Sequence, residues 1–344
     1  MPEINTSSKT VILLSSHFGG GAETAMQQLY VSQKGEFHNL EIWGINSEEL
    51  NPSEGRFTFD RNKSGGLGHN LKILLDFKRK CRAENVGTII LNCDLPELFG
   101  AFTHRKTKLI VVEQSTHPWL GRRLLGRFVR SILFLKKSTW VKIFQDQKIW
   151  SNFGQKALLG PNLIASNSAE SISRGPLDGL KRMVFLGRFH FQKRPEWIIQ
   201  LGADSGIPVM MIGDGELKQD LLNLADELDA DVEFTGFLPN PWERFRKGDV
   251  LVLTSRFEGK PLVIEEALIR GLPVLAMNLY GLTHEYRDCP VYFADSYSHL
   301  LDLINNFTSQ SNATDFRSDF PNIIKKKNEL KIQLWTEIIK SVAN

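Results

Sequence analysis

The feature of this sequence that most constrains its fold is the alternation of short apolar, β-branched runs with helical patterns. The first run, Thr10–Leu14, passes through a glycine-rich loop into a helical pattern from Ala22 to about Ser32. Because parallel strands need a crossover that is usually a helix, this alternation predicts a parallel sheet with helices on both faces. The other elements predicted in the first half are strands at Leu40–Ile45, Thr88–Leu91 and Lys108–Val112, and helices at Gly68–Ala83 and from Pro96.

The same alternation restarts after a polar stretch, Ser166–Asp178, which we interpret as a linker. The strands predicted in the second half are Met183–Gly187, Val209–Ile212, Val232–Thr235, Val250–Thr254 and Pro273–Ala276. The predicted helices are Pro195–Leu201, Glu216–Leu228, Pro241–Arg246, Pro261–Arg270 and a terminal helix at Asn322–Val342. A chain of 344 residues exceeds what one core usually organises, so we predict two doubly wound α/β domains, 1–165 and 166–320, followed by 321–344.

Composition excludes several classes of protein. The chain has 42% hydrophobic and 24% charged residues, which is ordinary globular usage, and no apolar run reaches the about 18 residues of a membrane-spanning helix. Cys81, Cys93 and Cys289 are far apart and predict neither a zinc site nor a disulfide framework. No export signal is visible in Met1–Lys9. We therefore expect a cytoplasmic location, on or off the cytoplasmic membrane face.

The net charge of +3 is unevenly distributed, with +8 in residues 1–165 and −5 in residues 166–344. This asymmetry indicates an anionic partner for the first half: a membrane surface, a nucleic acid or a phosphorylated substrate. No helix-turn-helix, zinc-finger or RNP motif is present, so we expect no nucleic acid.

The basic segment 121–137 contains six cations and no acid in 17 residues. As a helix it would place one set of apolar side chains on one face and three arginines on another. The apolar set is Leu124, Phe128, Ile132 and Leu135, and the arginines are Arg123, Arg127 and Arg130. Two interpretations follow: peripheral contact with an anionic membrane, or a domain helix with a core face and a solvated basic face.

The segment Ser255–Ala267 predicts a strand, a tight glycine turn and a helix. Pro261 suits the first helical turn, where its missing N–H is not needed. The free N–H groups near Leu262 and Val263, together with the helix dipole, can hold a diphosphate.

Two glutamates accompany this turn. Glu258 lies in the loop, and Glu266 lies about one turn inside the helix, within reach of a ribose attached to that phosphate. The alternative is an ordinary βαβ unit with solvated acids. The spacing of the two acids, Pro261 and the trailing Gly271–Val274 occur together, which favours function.

Two further loops carry candidate ligand groups. Arg188 and Lys193 follow the strand-ending Gly187, where open α/β sheets bind ligands, and can clamp a diphosphate; the alternative is that both are surface charges. The other loop, His17–Glu23, contains three glycines before a helix. A Rossmann cofactor site begins similarly, but the spacing is GGGAE rather than GxGxxG, so NAD binding is disfavoured.

These residues resemble the retaining, nucleotide-sugar-dependent glycosyltransferases of family four, also called group 1, which have the two-domain GT-B fold. The E-x7-E motif of that family falls on Glu258 and Glu266, and its Gly-Arg…Lys motif on Gly187, Arg188 and Lys193. Other matching segments are Gly213-Asp214-Gly215, the base-binding loop Gly236-Phe237-Leu238 and the interdomain junction Pro161-Asn162. The resemblance implies two Rossmann-like domains facing across a cleft.

The resemblance also implies an acceptor on the first domain, a donor mostly on the second, and a terminal helix that returns to the first. It assigns donor contacts to Gly19, Gly20, Gly21, Gly187, Arg188, Lys193, Gly213, Phe237, Leu238, Glu258, Gly259, Lys260, Pro261, Leu262, Val263 and Glu266. The expected catalytic residues are Glu258, Arg188, Lys193 and His117. No cofactor and no metal are expected, because no DxD-like motif is present and the cations can stabilise the leaving diphosphate.

Two positions depart from the family pattern. Many relatives carry a histidine where this chain has Gln114, so either His117 substitutes from further along the loop or it has no role. Lys260 occupies a turn where a small or aromatic residue is common, and either is solvated or contacts an acidic donor group.

The sequence thus predicts an enzyme that moves a hexose-type sugar from a nucleoside diphosphate sugar to a saccharide acceptor, lipid-linked, in bacterial surface polysaccharide or lipopolysaccharide biosynthesis. Two alternatives stay open. One is a non-catalytic nucleotide-sugar-binding subunit of a transferase complex, and the other is a GT-B nucleotide-sugar 2-epimerase.

Overall fold

The computed structural model describes residues 8–17, 20–46, 56–62, 64–165, 180–279, 282–287, 289–309 and 320–343. The chain divides into two compact units. The first unit comprises Met1–Ile164 and Asn328–Asn344, and the second comprises Ala165–Lys327. The predicted linker at Ser166–Asp178 lies outside the described residues.

Each unit is built on a parallel sheet. The strands of the first sheet are β1 (Lys9–Leu14), β2 (Leu40–Asn46), β3 (Arg56–Arg61), β4 (Val86–Asn92), β5 (Lys108–Glu113), β6 (Thr139–Lys142) and β7 (Ala157–Leu159), in the order β3-β2-β1-β4-β5-β6-β7. The strands of the second are β8 (Arg182–Leu186), β9 (Val209–Ile212), β10 (Val232–Gly236), β11 (Asp249–Leu253), β12 (Val274–Met277) and β13 (Val291–Ala294), in the order β10-β9-β8-β11-β12-β13. Both orders reverse direction once, which confirms two doubly wound, Rossmann-like domains.

Most of the helices connect successive strands, and the last two follow the final strand. Those before β8 are α1 (Gly21–Gln33), α2 (Leu67–Ala83), α3 (Asp94–Ala101) and α4 (Arg123–Leu135). Those after it are α5 (Glu196–Ser205), α6 (Lys218–Glu227), α7 (Leu262–Leu268), α8 (Leu282–Glu285), α9 (Tyr297–Ser309) and α10 (Phe320–Ala343). No helix among the described residues is both long enough and apolar enough to cross a bilayer.

The two faces of the first sheet are covered by different helices. One core cluster joins alternate strand residues such as Leu13 and Leu91 to Phe77 of α2, Phe99 of α3 and Val129 of α4. The helices α2, α3 and α4 therefore pack on the same face of this sheet, as right-handed crossovers require.

The second half of α10 packs beside α1 in the first unit. Gln33 donates from Nε2 to the carbonyl of Ile332 over 3.0 Å and accepts from Thr336 Oγ1 at 2.9 Å. Trp335 is fully buried and donates from Nε1 to the carbonyl of Pro161 at 2.8 Å. These bonds anchor the chain end to the first unit.

A buried ion-pair cluster sets the orientation of α4. Arg130 is fully buried, with Nη2 2.6 Å from Glu97 Oε1 and Nη1 2.7 Å from Glu113 Oε2. Trp119 also donates to Glu97 from Nε1 over 2.8 Å. Burial raises the pKa of Glu113 to about 7 against the opposing effect of Arg130.

The alternative in which α4 turns an apolar face to the core and a basic face to solvent is therefore wrong. Arg130 lies inside with Gly126, Val129 and Leu133. By contrast, three of the residues that this alternative assigns to the core, Leu124, Phe128 and Leu135, are exposed, and Ile132 is half-buried. The reason is that Glu97 and Glu113 provide buried counter-charges for Arg130, so the side of the helix that carries this arginine faces the core.

The remaining differences concern short elements. Residues Pro241–Arg244 form a 3₁₀ turn rather than the predicted helix at Pro241–Arg246. The sequence interpretation also missed β3, β6, β7, β13 and α9. β3 (Arg56–Arg61), at the sheet edge, has one buried residue, Phe59, among half-buried and exposed ones, and β7 has only 3 residues, so neither carries a strong apolar run.

We predict that Arg130→Leu lowers the free energy of unfolding by about 3–5 kcal/mol, because it leaves two buried carboxylates without a counter-charge. Arg127→Leu, on the exposed side of the same helix, should change it by about 0.5 kcal/mol or less. Urea unfolding followed by circular dichroism measures both. Equal effects of the two substitutions would contradict the assignment of Arg130 to the core.

Candidate functional site

The carboxyl edge of the second sheet carries most of the residues singled out from the sequence. Four neighbouring strands, β10, β9, β8 and β11, end in the loops that hold Phe237, Gly213, Lys193 and Glu258 respectively. The strand order reverses between β8 and β11. In open α/β sheets ligands bind outside the carboxyl ends at such a switch point, so this edge is the candidate site.

At the switch point, Lys193 and Glu258 form an ion pair. Lys193 Nζ lies 2.6 Å from Glu258 Oε1, and Ser255 donates from Oγ to the same oxygen at 2.7 Å. Glu258 is buried, whereas Lys193 is half-buried. The two groups predicted to contact the donor thus lie together, and their charges are matched.

The backbone of the two loops is joined by hydrogen bonds. Thr254 donates from Oγ1 to the carbonyls of Lys193 and Arg194 at 2.9 and 2.8 Å. The N–H of Arg256 donates to the carbonyl of Gln192 at 2.8 Å, and Gln192 Nε2 donates to the carbonyl of Phe257 at 3.0 Å. These hydrogen bonds fix the separation of the two loops, and they therefore position the Lys193–Glu258 ion pair.

The Gly-Asp-Gly turn packs directly against the loop after β8. Gly213 has φ +145°, and a Cβ there would lie 1.9 Å from the carbonyl oxygen of Gly187. A Cβ on Gly215 would lie 2.4 Å from the carbonyl oxygen of Phe189. Both glycines are therefore required by close backbone approach, which holds the loop containing Arg188 in place. Arg188 itself is exposed.

Glu266 lies in α7, half-buried. Burial raises the pKa of its carboxyl, the nearby Arg270 acts in the opposite direction, and Glu265 adds to the increase. Arg270 donates from Nη1 to the backbone carbonyl of Glu266 at 2.7 Å, and its guanidinium lies 4.4 Å from the ring centroid of Trp242. Arg270 is thus a neighbour that sequence spacing alone did not single out.

Lys260 is buried and paired with two carboxylates, so the interpretation of a solvated lysine is wrong, whereas its contact with a donor group stays a prediction. Its side chain is 1% exposed, and its Nζ lies 2.6 Å from Glu285 Oε1 and 3.1 Å from Glu265 Oε1. Burial acts to lower the pKa of Lys260, but the two carboxylates outweigh it and raise the pKa. The lysine fastens the turn before α7 to α8.

The other predicted donor residues are distributed between buried and exposed positions. Pro261 and Leu262 are buried, while Gly259 and Val263 are half-buried in the turn and at the start of α7. At the end of β10, Gly236 has φ +73° and accepts a hydrogen bond from the N–H of Gly213. The following residue, Phe237, is a large apolar side chain exposed to solvent, and Leu238 is half-buried.

The first unit carries the remaining predicted residues. Gly19 lies outside the described residues, whereas Gly20 and Gly21 begin α1. A Cβ on Gly20 would meet no atom within 4 Å, so no close contact among the described residues requires a glycine there. His117 is exposed in the loop after β5, with its Nδ1 3.0 Å from Thr116 Oγ1.

Gln114 occupies the position where the family pattern has histidine. Its side chain is buried, and Oε1 accepts from Asn162 Nδ2 at 2.9 Å. Its Nε2 is buried with no hydrogen-bond partner among the described residues. The glutamine therefore links the end of β5 to the segment after β7.

The carboxyl edge of the first sheet holds acids that the sequence interpretation did not identify. Asp94, at the start of α3, accepts from the backbone N–H of Trp119 at 3.0 Å. Burial, with a contribution from Glu97, raises the pKa of Asp94 to about 6. Asp94 and Glu97 follow the end of β4, and Glu113 lies at the end of β5. The strand order places these ends beside the point where the first sheet reverses direction, which the sequence alone does not show.

Comparison with known proteins bears on the family and the fold of the chain. Residues 168–313 match the family described as glycosyl transferases group 1. The second unit is a group 1 glycosyltransferase domain. Among curated relatives, an uncharacterized glycosyltransferase of Haemophilus influenzae is 26% identical over 196 residues, covering 52% of this chain and 52% of the relative. The UDP-Gal:alpha-D-GlcNAc-diphosphoundecaprenol alpha-1,3-galactosyltransferase of Escherichia coli is 33% identical over 135 residues, covering 33% and 34%.

Among solved structures, the group 1 glycosyltransferase domain and the first unit together resemble Anabaena HepE, crystallised with UDP and glucose. The TM-score is 0.79 at 17% identity, covering 97% of this chain and 100% of that one. At this identity the likeness shows the fold, and it confirms the predicted two-domain GT-B architecture. The chain spans about half the length of the curated relatives it matches.

We predict that Lys260→Met lowers the free energy of unfolding by about 3 kcal/mol, because Glu265 and Glu285 lose their shared buried counter-charge. The matched control is Lys218→Met, which breaks an exposed ion pair with Asp214 and should cost about 0.5 kcal/mol. Urea unfolding curves of the three proteins measure the difference. If both variants behave alike, Lys260 is not a buried structural cation.

Proposed function

We propose that the chain is a retaining glycosyltransferase that moves a hexose-type sugar from a nucleoside diphosphate sugar to a lipid-linked saccharide. The observation that carries the proposal is the Lys193–Glu258 ion pair at the switch point of a group 1 glycosyltransferase domain. A cation and an acid at that edge suit a substrate with an anionic diphosphate and a hydroxyl-rich sugar.

In the proposed reaction, the bond between the anomeric carbon and the diphosphate oxygen breaks, and the acceptor oxygen bonds to that carbon. Lys193 and the exposed Arg188 neutralise the charge that grows on the leaving diphosphate. The acceptor proton passes to the leaving phosphate oxygen, so no strong protein base is needed. Glu258 holds the transferred sugar. The anionic diphosphate competes with Glu258 for Lys193, and donor binding thereby releases the carboxylate for sugar hydroxyls.

The rest of the donor is assigned to neighbouring groups. Glu266 accepts hydrogen bonds from the ribose hydroxyls, and the exposed ring of Phe237 lies on the loop assigned to the base. We also assign the backbone at Gly20 to the donor, since a glycine presents no side chain that would block a ligand. We assign His117 to the acceptor or the sugar, and we propose that the reaction requires no metal.

The printed names of the relatives support the choice of substrates. The Escherichia coli relative uses UDP-Gal and a diphosphoundecaprenol-linked acceptor, and the Anabaena structure contains UDP and glucose. We therefore propose a nucleoside diphosphate sugar as donor, a saccharide on a lipid diphosphate as acceptor, and bacterial surface polysaccharide assembly as the setting.

To test the donor site, the melting temperature is measured with UDP, GDP, ADP, CDP and their common sugars, with and without EDTA. A ligand that binds the native state raises the melting temperature by mass action. We expect one nucleotide family to raise the melting temperature of the wild type and of Lys218→Met, with or without EDTA. The same nucleotides should not raise the melting temperature of Glu266→Ala. No shift with any nucleotide at saturation would contradict the donor site.

Measuring the rate of sugar transfer distinguishes an enzyme from a non-catalytic subunit. Lys193→Met should lower transfer by about 10²-fold or more, since it removes a cation from the leaving diphosphate. Lys218→Met serves as the control. NMR of the product reports whether the anomeric configuration is retained. A Lys193→Met protein that still activates a partner transferase, while the wild type never turns over alone, would identify a binding subunit instead.

We further propose that α4 contacts an anionic membrane peripherally. Leu124 is 83% exposed and Phe128 is 61% exposed, and the exposed cations around them are Arg122, Arg123 and Arg127. Apolar side chains flanked by cations fit the headgroup region of an anionic bilayer. Such contact would hold the first unit where a lipid-linked acceptor is presented.

Vesicle flotation tests this contact. The wild type should float with vesicles containing phosphatidylglycerol and less with phosphatidylcholine alone, and sodium chloride should weaken binding because it screens the arginines. Phe128→Glu should reduce binding at least about fivefold, since it places an acid in the apolar contact. Leu330→Glu, exposed on α10, is the control. Unchanged flotation of Phe128→Glu would exclude α4.

A further inference from the structure

The helix α2 exposes a row of leucines that the first unit leaves uncovered. Leu67 is 91% exposed and Leu71 is 57% exposed, and Leu75 one turn later is also exposed. These residues recur every four positions, so they form one stripe along the helix. The helix buries a different set against the core, namely Ile73, Phe77 and Cys81. Packing of the sheet therefore does not account for the leucine stripe.

Cations surround this stripe. Lys72, Arg79 and Arg82 are exposed on α2, and its single acid, Asp76, is half-buried 3.2 Å from Arg79. A helix whose solvent face is apolar and basic differs from an ordinary surface helix, whose solvent face is polar with charges of both signs. It has the composition of a helix that lies on an anionic interface.

The leucine stripe lies on the same side of the first unit as α4. Both helices pack on one face of the first sheet, with α3 between them in the order of crossovers. At both ends of the two helices, a cation of one region acts on a cation of the other. Burial and the charge of Arg122, just before α4, lower the pKa of Arg61, just before α2. Burial and the charge of Lys78 on α2 lower the pKa of Lys136, at the end of α4, to about 8.

We propose that the leucine stripe of α2 and the exposed apolar residues of α4 form one surface that docks on an anionic lipid bilayer. This inference rests on the membrane contact proposed for α4 and adds a second helix to it. The cations of both helices favour an anionic bilayer over a second copy of this chain, because two such surfaces would bring like charges together. Dispersed apolar side chains between cations also suit lipid better than a closely packed protein interface.

Contact through two helices differs physically from contact through one. A single helix lying on a bilayer leaves the domain free to rotate about the helix axis. Two helices separated by α3 define a plane, which fixes the orientation of the first sheet relative to the membrane. The carboxyl ends of β4 and β5, where Asp94 and Glu113 lie, are then held at a fixed orientation to the lipid surface.

The experiment compares three sets of variants of the full chain by flotation with phosphatidylglycerol-containing vesicles. The α2 variant is Leu67→Glu/Leu71→Glu/Leu75→Glu, the α4 variant is Leu124→Glu/Phe128→Glu, and the control is Val31→Glu/Leu330→Glu, at exposed sites on α1 and α10. We expect the α2 variant to lower the vesicle partition coefficient at least about tenfold, since each acid opposes insertion and repels anionic lipid. The control should bind as the wild type does.

A second α2 variant guards against misfolding of the first. Lys72→Gln/Arg79→Gln keeps the leucines, removes two cations without placing an acid beside Asp76, and should lower binding to phosphatidylglycerol vesicles while leaving the melting temperature nearly unchanged. Wild-type binding by both α2 variants, with loss in the α4 variant, overturns the two-helix surface and leaves the α4 contact standing. Wild-type binding by the α4 variant, or no binding by the wild type, overturns the proposed membrane contact itself. A concentration-dependent dimer in light scattering that the α2 leucine variant abolishes overturns the lipid assignment.

Discussion

The charge pairing of Arg130 with Glu97 and Glu113 determines which side of α4 faces water. A guanidinium can be buried in a protein interior only with close counter-charges and satisfied donors. Here two glutamates from separate elements provide them, at the end of β5 and within α3. Since Arg130 points inward, the residues on the opposite side of the helix, including Leu124 and Phe128, point outward. A polar interaction inside the domain thereby creates an apolar surface outside it.

The second domain also buries a charged side chain between counter-charges, and there the buried charge holds a loop in position. Lys260 is buried between Glu265 and Glu285, and this fastens the turn that leads from Glu258 into α7. Hydrogen bonds between the loops after β8 and β11, together with the tight approach of Gly213 to Gly187, hold the other side. The positions of Lys193 and Glu258 are therefore fixed by contacts within the second domain itself. A site intended for a charged and flexible substrate benefits from such preorganisation.

Much of the fold could be predicted from sequence because buried parallel strands such as β1, β5 and β9 are short apolar runs with clear breaks. The residues that lie together at the carboxyl edge of the second sheet could be named from the sequence as well, because they follow strand ends within single loops. The position of Arg130 could not be predicted. Its partners lie 33 and 17 residues away in the chain, and no local pattern distinguishes a buried arginine from a solvated one. Lys260 was misinterpreted for the same reason, since Glu285 lies 25 residues downstream.

The ion-pair cluster of α4 also couples folding to protons. Two carboxylates share one guanidinium, and burial raises the pKa of Glu113 from an ordinary 4.5 to about 7. Between these values the folded state retains a proton that the unfolded chain releases. The contribution of Glu113 to stability is full below about pH 4.5 and is lost as the pH rises through about 7. Burial of this acid therefore makes the free energy of unfolding fall as the pH rises from about 4.5 to about 7, even though the ionised form of Glu113 is the one that pairs with Arg130.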